Sequence, residues 1–181
     1  RRRASPEMNT TAILALDVTV VTDGWRKALA APEEVAARAA RAAFTAASLD
    51  LGRSSEAAVV LTDDAGVRIL NRDYRNKDRA TNVLSFPAFD ADDMARLPVD
   101  APLFLGDVVI ALETATAEAL AEAKTVTDHL THLVVHGMLH LLGHDHEADD
   151  EATIMERLEV DVLGQLGVPD PYVFADEAAA P

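Results

Sequence analysis

The segment HGMLHLLGHDH at residues 136–146 constrains the fold more than any other part of the chain. It places four histidines and two glycines within eleven positions, although the chain has only six histidines in all. His132, His136 and His140 are spaced four residues apart, so at about 100° per residue they stay within about 80° of one another on a helix. Most of the other positions between 130 and 142 carry leucine, valine or methionine. The pattern predicts a buried central helix with one apolar face and one face of imidazoles.

Histidines at positions i and i+4 of a helix present two imidazoles to one point, as a metal ion requires of its first two ligands. A single buried histidine is more often a hydrogen-bonded core residue, but here a third histidine follows the pair after a glycine. The chain has no cysteine, so a metal site must use nitrogen and oxygen ligands. His136, His140 and His146 are the predicted ligands, and we expect one zinc ion per chain.

The third ligand depends on where this helix ends. His144 continues the i, i+4, i+8 series, but on an unbroken helix it lies about 12 Å along the axis from His136, too far for both to bind one zinc. A glycine such as Gly143 can adopt the left-handed conformation that ends a helix and turns the chain. We therefore expect His146 to bind the metal. His144 is expected to point into the cleft or to contact the ligand side chains without binding the metal itself. Asp145 is expected to orient a ligand histidine.

The three predicted ligands also have the spacing of the H-E-x-x-H-x-x-G-x-x-H zinc peptidases, with Gly143 at the glycine position. This spacing predicts a metzincin-like helix at the metal site. Gly137, however, stands where those enzymes have the glutamate that acts as general base. The missing glutamate disfavours proteolysis. A metallopeptidase therefore stays only as the alternative to a metal-dependent hydrolase that cleaves a different kind of bond.

Length and composition indicate one compact domain. A chain of 181 residues with 49% hydrophobic content can bury a sizeable core without a metal. We expect the domain to span 12–168, with tails at 1–11 and 169–181. No apolar run approaches the roughly 20 residues that cross a bilayer, so no membrane association is expected.

Strands and helices alternate in the first part of the chain and helices dominate the end. Periodicity and capping residues predict strands at 12–21, 56–62, 81–87 and 104–112, and helices at 32–49, 64–74, 113–124, 125–143 and 150–166. The acidic, proline-containing segment 88–103 is predicted to be a loop. This order predicts an α+β domain with a small mixed sheet.

A basic stretch interrupts an acidic chain. The net charge is −15, which disfavours a polyanionic partner, but VRILNRDYRNKDR carries four arginines and one lysine against two aspartates. A solvated helix face is the plain explanation of this stretch. For Arg75 in particular, the plain alternative is a surface salt bridge to Asp73 or Asp78.

Long motifs resemble one family. HGMLHLLGHDH resembles the H-G-x-L-H-L-x-G-[Y/H]-D-H signature of the YbeY endoribonucleases, and LNRDYRNKDRATNVLSFP resembles that family's second signature. LGDVVIA resembles the strand that follows, and Met155 and Glu159 lie in a family-like stretch. The likeness covers about 56–167. Ala80 replaces a proline common in the family and His144 a frequent tyrosine, and neither is a predicted ligand.

The resemblance implies a mixed four-stranded sheet packed with about five helices. It also implies a metal-dependent, single-strand-specific endoribonuclease that acts in the 3′-end maturation of small-subunit (16S) ribosomal RNA and in ribosome quality control. The implied partners are ribosomal RNA and the small ribosomal subunit, not DNA, and the implied location is the cytoplasm. A zinc-stabilised module that binds the ribosome without catalysis is the remaining alternative.

Arg75 and His136 are the predicted catalytic residues. Zinc held by three imidazoles keeps an open fourth position and activates water at neutral pH. Charge then builds on the phosphoryl oxygens, which favours a guanidinium beside the metal, and Arg75 is the residue we expect there. Lys77, Asn82 and Ser85 are predicted to bind substrate, Lys77 by steering phosphate and the other two by shaping the wall of the site. Water and the ribose 2′-hydroxyl both stay open as the nucleophile.

Overall fold

The computed structural model describes residues 13–47, 54–90, 93, 96–98, 102–144 and 149–173. The strands are β1 (Leu14–Val20), β2 (Ser55–Thr62), β3 (Val83–Pro87) and β4 (Leu103–Ala111). The helices described in these ranges are α1 (Gly24–Ala28), α2 (Pro32–Ala47), α3 (Asp64–Arg75), α4 (Leu112–Ala121), α5 (Val126–Leu141) and α6 (Asp149–Gln165). Three helices follow β4 in succession, as the sequence predicts.

The four strands form one mixed sheet in the order β1-β2-β4-β3. β2 is parallel to both β1 and β4, whereas β3 is antiparallel to β4 and lies at the edge. Parallel neighbours need a crossover connection, and α2 provides the one between β1 and β2. The predicted α+β fold with a mixed four-stranded sheet is therefore confirmed.

Helix α5, which carries the histidines, packs across one face of this sheet. Leu130, Val134, Met138 and Leu141 on its apolar side are fully buried, as the helical periodicity predicts. They share one core with β2, β4 and α2. The buried side of α2 consists mostly of small residues, which let α2 approach α5 closely: Ala36, Ala39, Ala40 and Ala43.

Helix α3 covers the opposite face of the sheet. Val67 packs there against Leu84 of β3 and Val109 of β4. Asp63 caps the helix, since its side chain accepts a hydrogen bond of 2.8 Å from the backbone N–H of Gly66. The last turns of α3, which carry part of the basic stretch, are exposed beside the edge strand β3.

Some local features differ from the sequence-based expectation. The five-residue helix α1 was not predicted, and Trp25 in it is fully buried, with its indole N–H donating to the carbonyl of Thr62 at 2.8 Å. The predicted loop 88–103 lies partly outside the described residues, and Leu103 at its end already belongs to β4. Among the helices that the structure describes, none has the length and apolar character needed to cross a bilayer.

Candidate metal centre

His136 and His140 on α5 point at one position. Their ring centroids are 4.6 Å apart, and the two Nε2 atoms are separated by 3.1 Å. Two nitrogens that bind one zinc ion at about 2.0–2.1 Å in tetrahedral geometry lie about 3.3 to 3.4 Å apart. The two imidazoles therefore fit adjacent ligand positions of a tetrahedral metal ion.

Glu159 of α6 holds the other ring nitrogen of His136. Its Oε1 lies 2.6 Å from Nδ1 of His136, and the residue is only 1% exposed. Burial by itself raises the pKa of this carboxyl, but its interactions with the imidazoles of His132 and His136 and with the hydroxyl of Tyr172 outweigh burial and lower the pKa to about 2. An ionised carboxylate beside Nδ1 favours the tautomer that leaves Nε2 unprotonated, the arrangement typical of metal-binding histidines.

The sequence motifs place Glu159 in a family-like stretch but indicate no role for it. The sequence did contain a signal for this residue, because Glu159 stands at helical spacing from the apolar residues Met155 and Val162. All three side chains are buried in the structure. A carboxylate in an apolar stripe needs a polar partner. His136 is 23 residues away along the chain, so only the packing of α6 on α5 identifies it as that partner.

Two further rings surround the second oxygen of Glu159. Oε2 accepts a hydrogen bond from the hydroxyl of Tyr172 and lies 3.6 Å from Nε2 of His132. The rings of His132 and Tyr172 are 6.1 Å apart and nearly perpendicular. His132 thus faces the carboxylate instead of the position shared by His136 and His140, which keeps it outside the ligand set.

The end of α5 has the geometry expected from Gly143. This glycine has a φ of 90°, its N–H donates to the carbonyl of His140, and the N–H of His144 donates to the carbonyl of Leu139. This pair of hydrogen bonds closes a helix at a left-handed residue, so the predicted turn of the chain is confirmed. His144 is half-buried just after the turn, and burial lowers its pKa.

The predicted ligand His146 and its neighbour Asp145 lie outside the described residues. Among the residues inside them, no group of three His, Cys, Asp or Glu side chains forms a metal site. The assignment of the third ligand therefore stays a prediction.

Gly137 lies against the sheet. A Cβ at this position would be 2.5 Å from Cγ1 of Val108 and 3.2 Å from Oγ of Ser85. Because glycine has no side chain, the backbone of α5 can pack close to Val108 of β4 at this position. A glutamate, which the peptidase motif requires here, has no room, and the departure from that motif follows from packing.

Arg75 stands at the end of α3, and Ser85 of β3 connects it to the histidine helix. Nη2 of Arg75 donates to the carbonyl of Ser85 at 3.2 Å, and the hydroxyl of Ser85 donates to the carbonyl of Gly137 at 3.4 Å. Gly137 directly follows His136. Ser85 thus contacts the helix that carries the predicted ligands, and Arg75 is linked to that helix through Ser85.

The acids near Arg75 are paired with other arginines. Asp78 forms hydrogen bonds of 2.7 and 3.0 Å with Arg68, and Asp73 forms one of 2.8 Å with Arg72. In the part of the chain that the structure describes, Arg75 forms no salt bridge with a carboxylate. The structure therefore does not place Arg75 in the surface salt bridge that was the plain alternative to a functional role.

The remaining predicted substrate residues differ in their surroundings. Lys77 is exposed just beyond the end of α3. Asn82 donates from Nδ2 to Oε2 of Glu118 at 2.9 Å, and the same oxygen lies 2.9 Å from Nε2 of His129. Asn82 therefore links the start of β3 to α4 and α5, a structural contact that the sequence did not predict.

Comparison with known proteins identifies the family. A sequence profile described as Endoribonuclease YbeY matches residues 25–167. The chain is 50% identical over 165 residues to the Endoribonuclease YbeY of Azorhizobium caulinodans. This alignment covers 91% of this chain and 99% of that protein. The chain belongs to the endoribonuclease YbeY family.

Other relatives in this family agree with that assignment. The Endoribonuclease YbeY of Rhodopseudomonas palustris strain BisA53 is 51% identical, with 91% of this chain and 93% of the relative covered. The corresponding protein of Paramagnetospirillum magneticum is 48% identical, with 90% and 98% covered. The resemblance carried by HGMLHLLGHDH and LNRDYRNKDRATNVLSFP is therefore confirmed.

A solved structure shares the fold. The solution structure of TM1509 from Thermotoga maritima superposes with a TM-score of 0.50 at 20% sequence identity, covering 88% of this chain and 99% of that one. At this identity the likeness concerns the arrangement of helices and strands alone.

Proposed function

We propose that this chain is a zinc-dependent, single-strand-specific endoribonuclease that matures the 3′ end of small-subunit ribosomal RNA and acts in ribosome quality control. Membership of the endoribonuclease YbeY family supports hydrolysis of phosphodiester bonds in RNA. The observation that carries the metal dependence is the 3.1 Å approach of the Nε2 atoms of His136 and His140.

In this proposal His136, His140 and His146 hold one zinc ion. When bound, zinc supplies Lewis-acid chemistry that activates water at neutral pH. The fit of the described residues rests on two contacts. His136 and His140 are spaced as adjacent tetrahedral ligands, and Oε1 of Glu159 accepts a hydrogen bond from Nδ1–H of His136. That contact orients the ring and leaves Nε2 as the atom that binds.

Arg75 has the surroundings of a phosphate-binding residue. Its guanidinium is exposed, has one hydrogen bond to the carbonyl of Ser85, and forms no ion pair with a described carboxylate. A guanidinium can bind two phosphoryl oxygens at once and stabilise the negative charge that grows on them during cleavage. Lys77, two residues further on, is a second exposed cation. We propose that both residues contact the RNA backbone.

The proposed partners are ribosomal RNA and the small ribosomal subunit, and the proposed location is the cytoplasm. Support comes from the basic stretch, which provides a local surface for phosphate on a chain of net charge −15. Purified small-subunit particles with unprocessed 3′ ends test this proposal. We expect the metal-loaded protein to shorten those ends, and ends that stay unchanged would contradict the ribosomal role.

One experiment separates the candidate activities. The zinc-loaded protein, the chelated protein and the reloaded protein are each incubated with a single-stranded RNA, the same RNA annealed to its complement, and casein. We expect cleavage of the single strand only, loss of cleavage after chelation, and recovery on reloading. Equal cleavage after chelation would exclude the metal, degradation of casein would indicate a peptidase, and zinc binding without cleavage would indicate a non-catalytic module.

A further inference from the structure

Glu159 is a buried carboxylate whose two oxygens have different partners. Oε1 lies 2.6 Å from Nδ1 of His136. Oε2 accepts a hydrogen bond from Tyr172, whereas Nε2 of His132 is 3.6 Å away, beyond a normal hydrogen bond. With 1% of the residue exposed, water cannot replace a missing donor without rearrangement. Tyr172 is therefore the principal donor to the second oxygen.

Tyr172 reaches this position because the chain reverses after α6. Gly167 has a φ of 76°, and the N–H of Val168 donates to the carbonyl of Leu163 at 2.9 Å, which closes the helix and turns the chain. Asp170 then accepts a hydrogen bond of 2.8 Å from the backbone N–H of Tyr172. Tyr172 lies beyond residue 167, where the match to the family profile ends, and within the segment that the sequence predicted to be a tail.

We infer that Tyr172 is a positioning residue for the metal site: its hydroxyl holds Glu159, and Glu159 holds the ring of the ligand His136. The inference rests on the proposed zinc site. A carboxylate anchored at Oε2 keeps Oε1 aligned with Nδ1 of His136, so Nε2 keeps its direction toward the metal. Without the hydroxyl, Glu159 can rotate, and the ring loses its fixed orientation.

The surroundings of the phenol suit this role. Burial and the hydrogen bond to Glu159 both raise the pKa of Tyr172, so the hydroxyl keeps its proton and stays a donor. The residue is 39% exposed, and replacing it with phenylalanine removes the hydroxyl while preserving the ring contact with His132. Tyr172→Phe therefore isolates the hydrogen bond from the packing of the segment.

The test is the zinc affinity of the full chain, measured by competition with a chromophoric chelator. We expect Tyr172→Phe to raise the Kd for zinc about tenfold, at the lower end of the effects known for residues that support metal ligands. Tyr74→Phe is the matched control, because Tyr74 is the only other tyrosine in the chain and is 71% exposed on α3. Its Kd should equal that of the parent.

A double-variant cycle separates positioning from a general loss of stability. In a Glu159→Gln background, Tyr172→Phe should change the Kd no further, because the group through which it acts is already altered. An undiminished tenfold change in that background would overturn the inference. Thermal unfolding of the metal-free proteins checks that each variant folds.

The outcomes distinguish this inference from the proposed function. A parent that binds zinc and cleaves RNA, together with a Tyr172→Phe variant of unchanged Kd, overturns the positioning role and leaves the proposed function intact. A parent that binds no zinc overturns the metal site and the positioning role together. A raised Kd for Tyr172→Phe with an unchanged Kd for Tyr74→Phe supports the role.

Discussion

Arg75 is a cation whose neighbouring aspartates pair with other arginines, which leaves its guanidinium available to bind phosphate. Asp73 and Asp78 are paired with Arg72 and Arg68, and the only hydrogen bond described for the Arg75 side chain goes to Ser85. We expect Arg75→Ala to leave folding and bound zinc unchanged and to lower the rate of RNA cleavage about 10²-fold, the effect of losing one donor that stabilises developing charge. Initial rates on a single-stranded RNA, together with metal analysis, measure this.

Arg72→Ala is the control for this substitution. Arg72 lies on the same helix, is exposed, and is paired with Asp73. The control removes the same charge from α3, and its rate should stay within a few-fold of the parent. Parental cleavage by Arg75→Ala, or an equal loss in both variants, would argue against a specific phosphate contact.

His144 and His146 are separated by one residue but are expected to differ in function. The helix ends at the turn formed by Gly143, and His144 lies half-buried just after it. His144 therefore does not extend the helical spacing of His136 and His140. We expect His146→Ala to purify with little zinc and no nuclease activity, because a tetrahedral site with two protein ligands binds weakly. His144→Tyr should keep both properties, and elemental analysis of the two purified variants decides between them. Retention of zinc by His146→Ala together with its loss from His144→Tyr would reverse the assignment.

At the level of elements, the crossing of α5 over β4 depends on Gly137. The space for a side chain is occupied by Val108 and Ser85, so Gly137→Ala forces either the helix or the strand to move. We expect a loss of about 1–3 kcal/mol in the free energy of unfolding, the usual cost of overpacking a core. Urea unfolding of the metal-free protein measures it.

Gly164→Ala is the matched control on another helix. Gly164 lies on the exposed side of α6, and a Cβ there meets no atom within 4 Å. Alanine in an exposed helix position is favoured over glycine by about 0.5–1 kcal/mol, so this variant should be slightly more stable than the parent. If both variants changed stability in the same direction, the close contact at Gly137 would not be the cause.

At the level of the whole molecule, an acidic protein carries one basic surface. The net charge is −15, yet Arg75, which donates to Ser85, and Lys77 are exposed cations in the basic stretch. We expect the affinity of chelated protein for single-stranded RNA to fall steeply with added salt, because local contacts release counterions whatever the net charge. Replacing Arg75 and Lys77 together by alanine should reduce the slope of log Kd against log salt by about 1.4.

Lys27→Ala with Arg38→Ala is the control pair for the salt experiment. Both residues are exposed on α1 and α2, outside the basic stretch, and their loss changes the net charge by the same amount. The slope should match that of the parent when measured by fluorescence anisotropy over a salt series. If the slope of log Kd against log salt were equal for the two double variants, it would depend on net charge alone. That result would contradict binding by a local surface.

The sequence by itself determined the features that depend on local geometry. The spacing of His136 and His140 sets their separation on any helix, which is why the pair could be predicted as adjacent ligands. Gly143 ends that helix because a left-handed turn follows from its own backbone freedom. The order of strands and helices, read from periodicity and caps, likewise predicted an α+β fold with a mixed sheet, which the structure has.

Tertiary structure decided the contacts between residues far apart in sequence. Glu159 supports His136 only because α6 packs on α5, and Tyr172 reaches Glu159 only because the chain reverses after α6. The packing of Gly137 against β4 has the same origin, because the position where two elements cross depends on the whole core. Sequence periodicity specifies which face of a helix is buried, but it does not specify which side chains of another element meet that face.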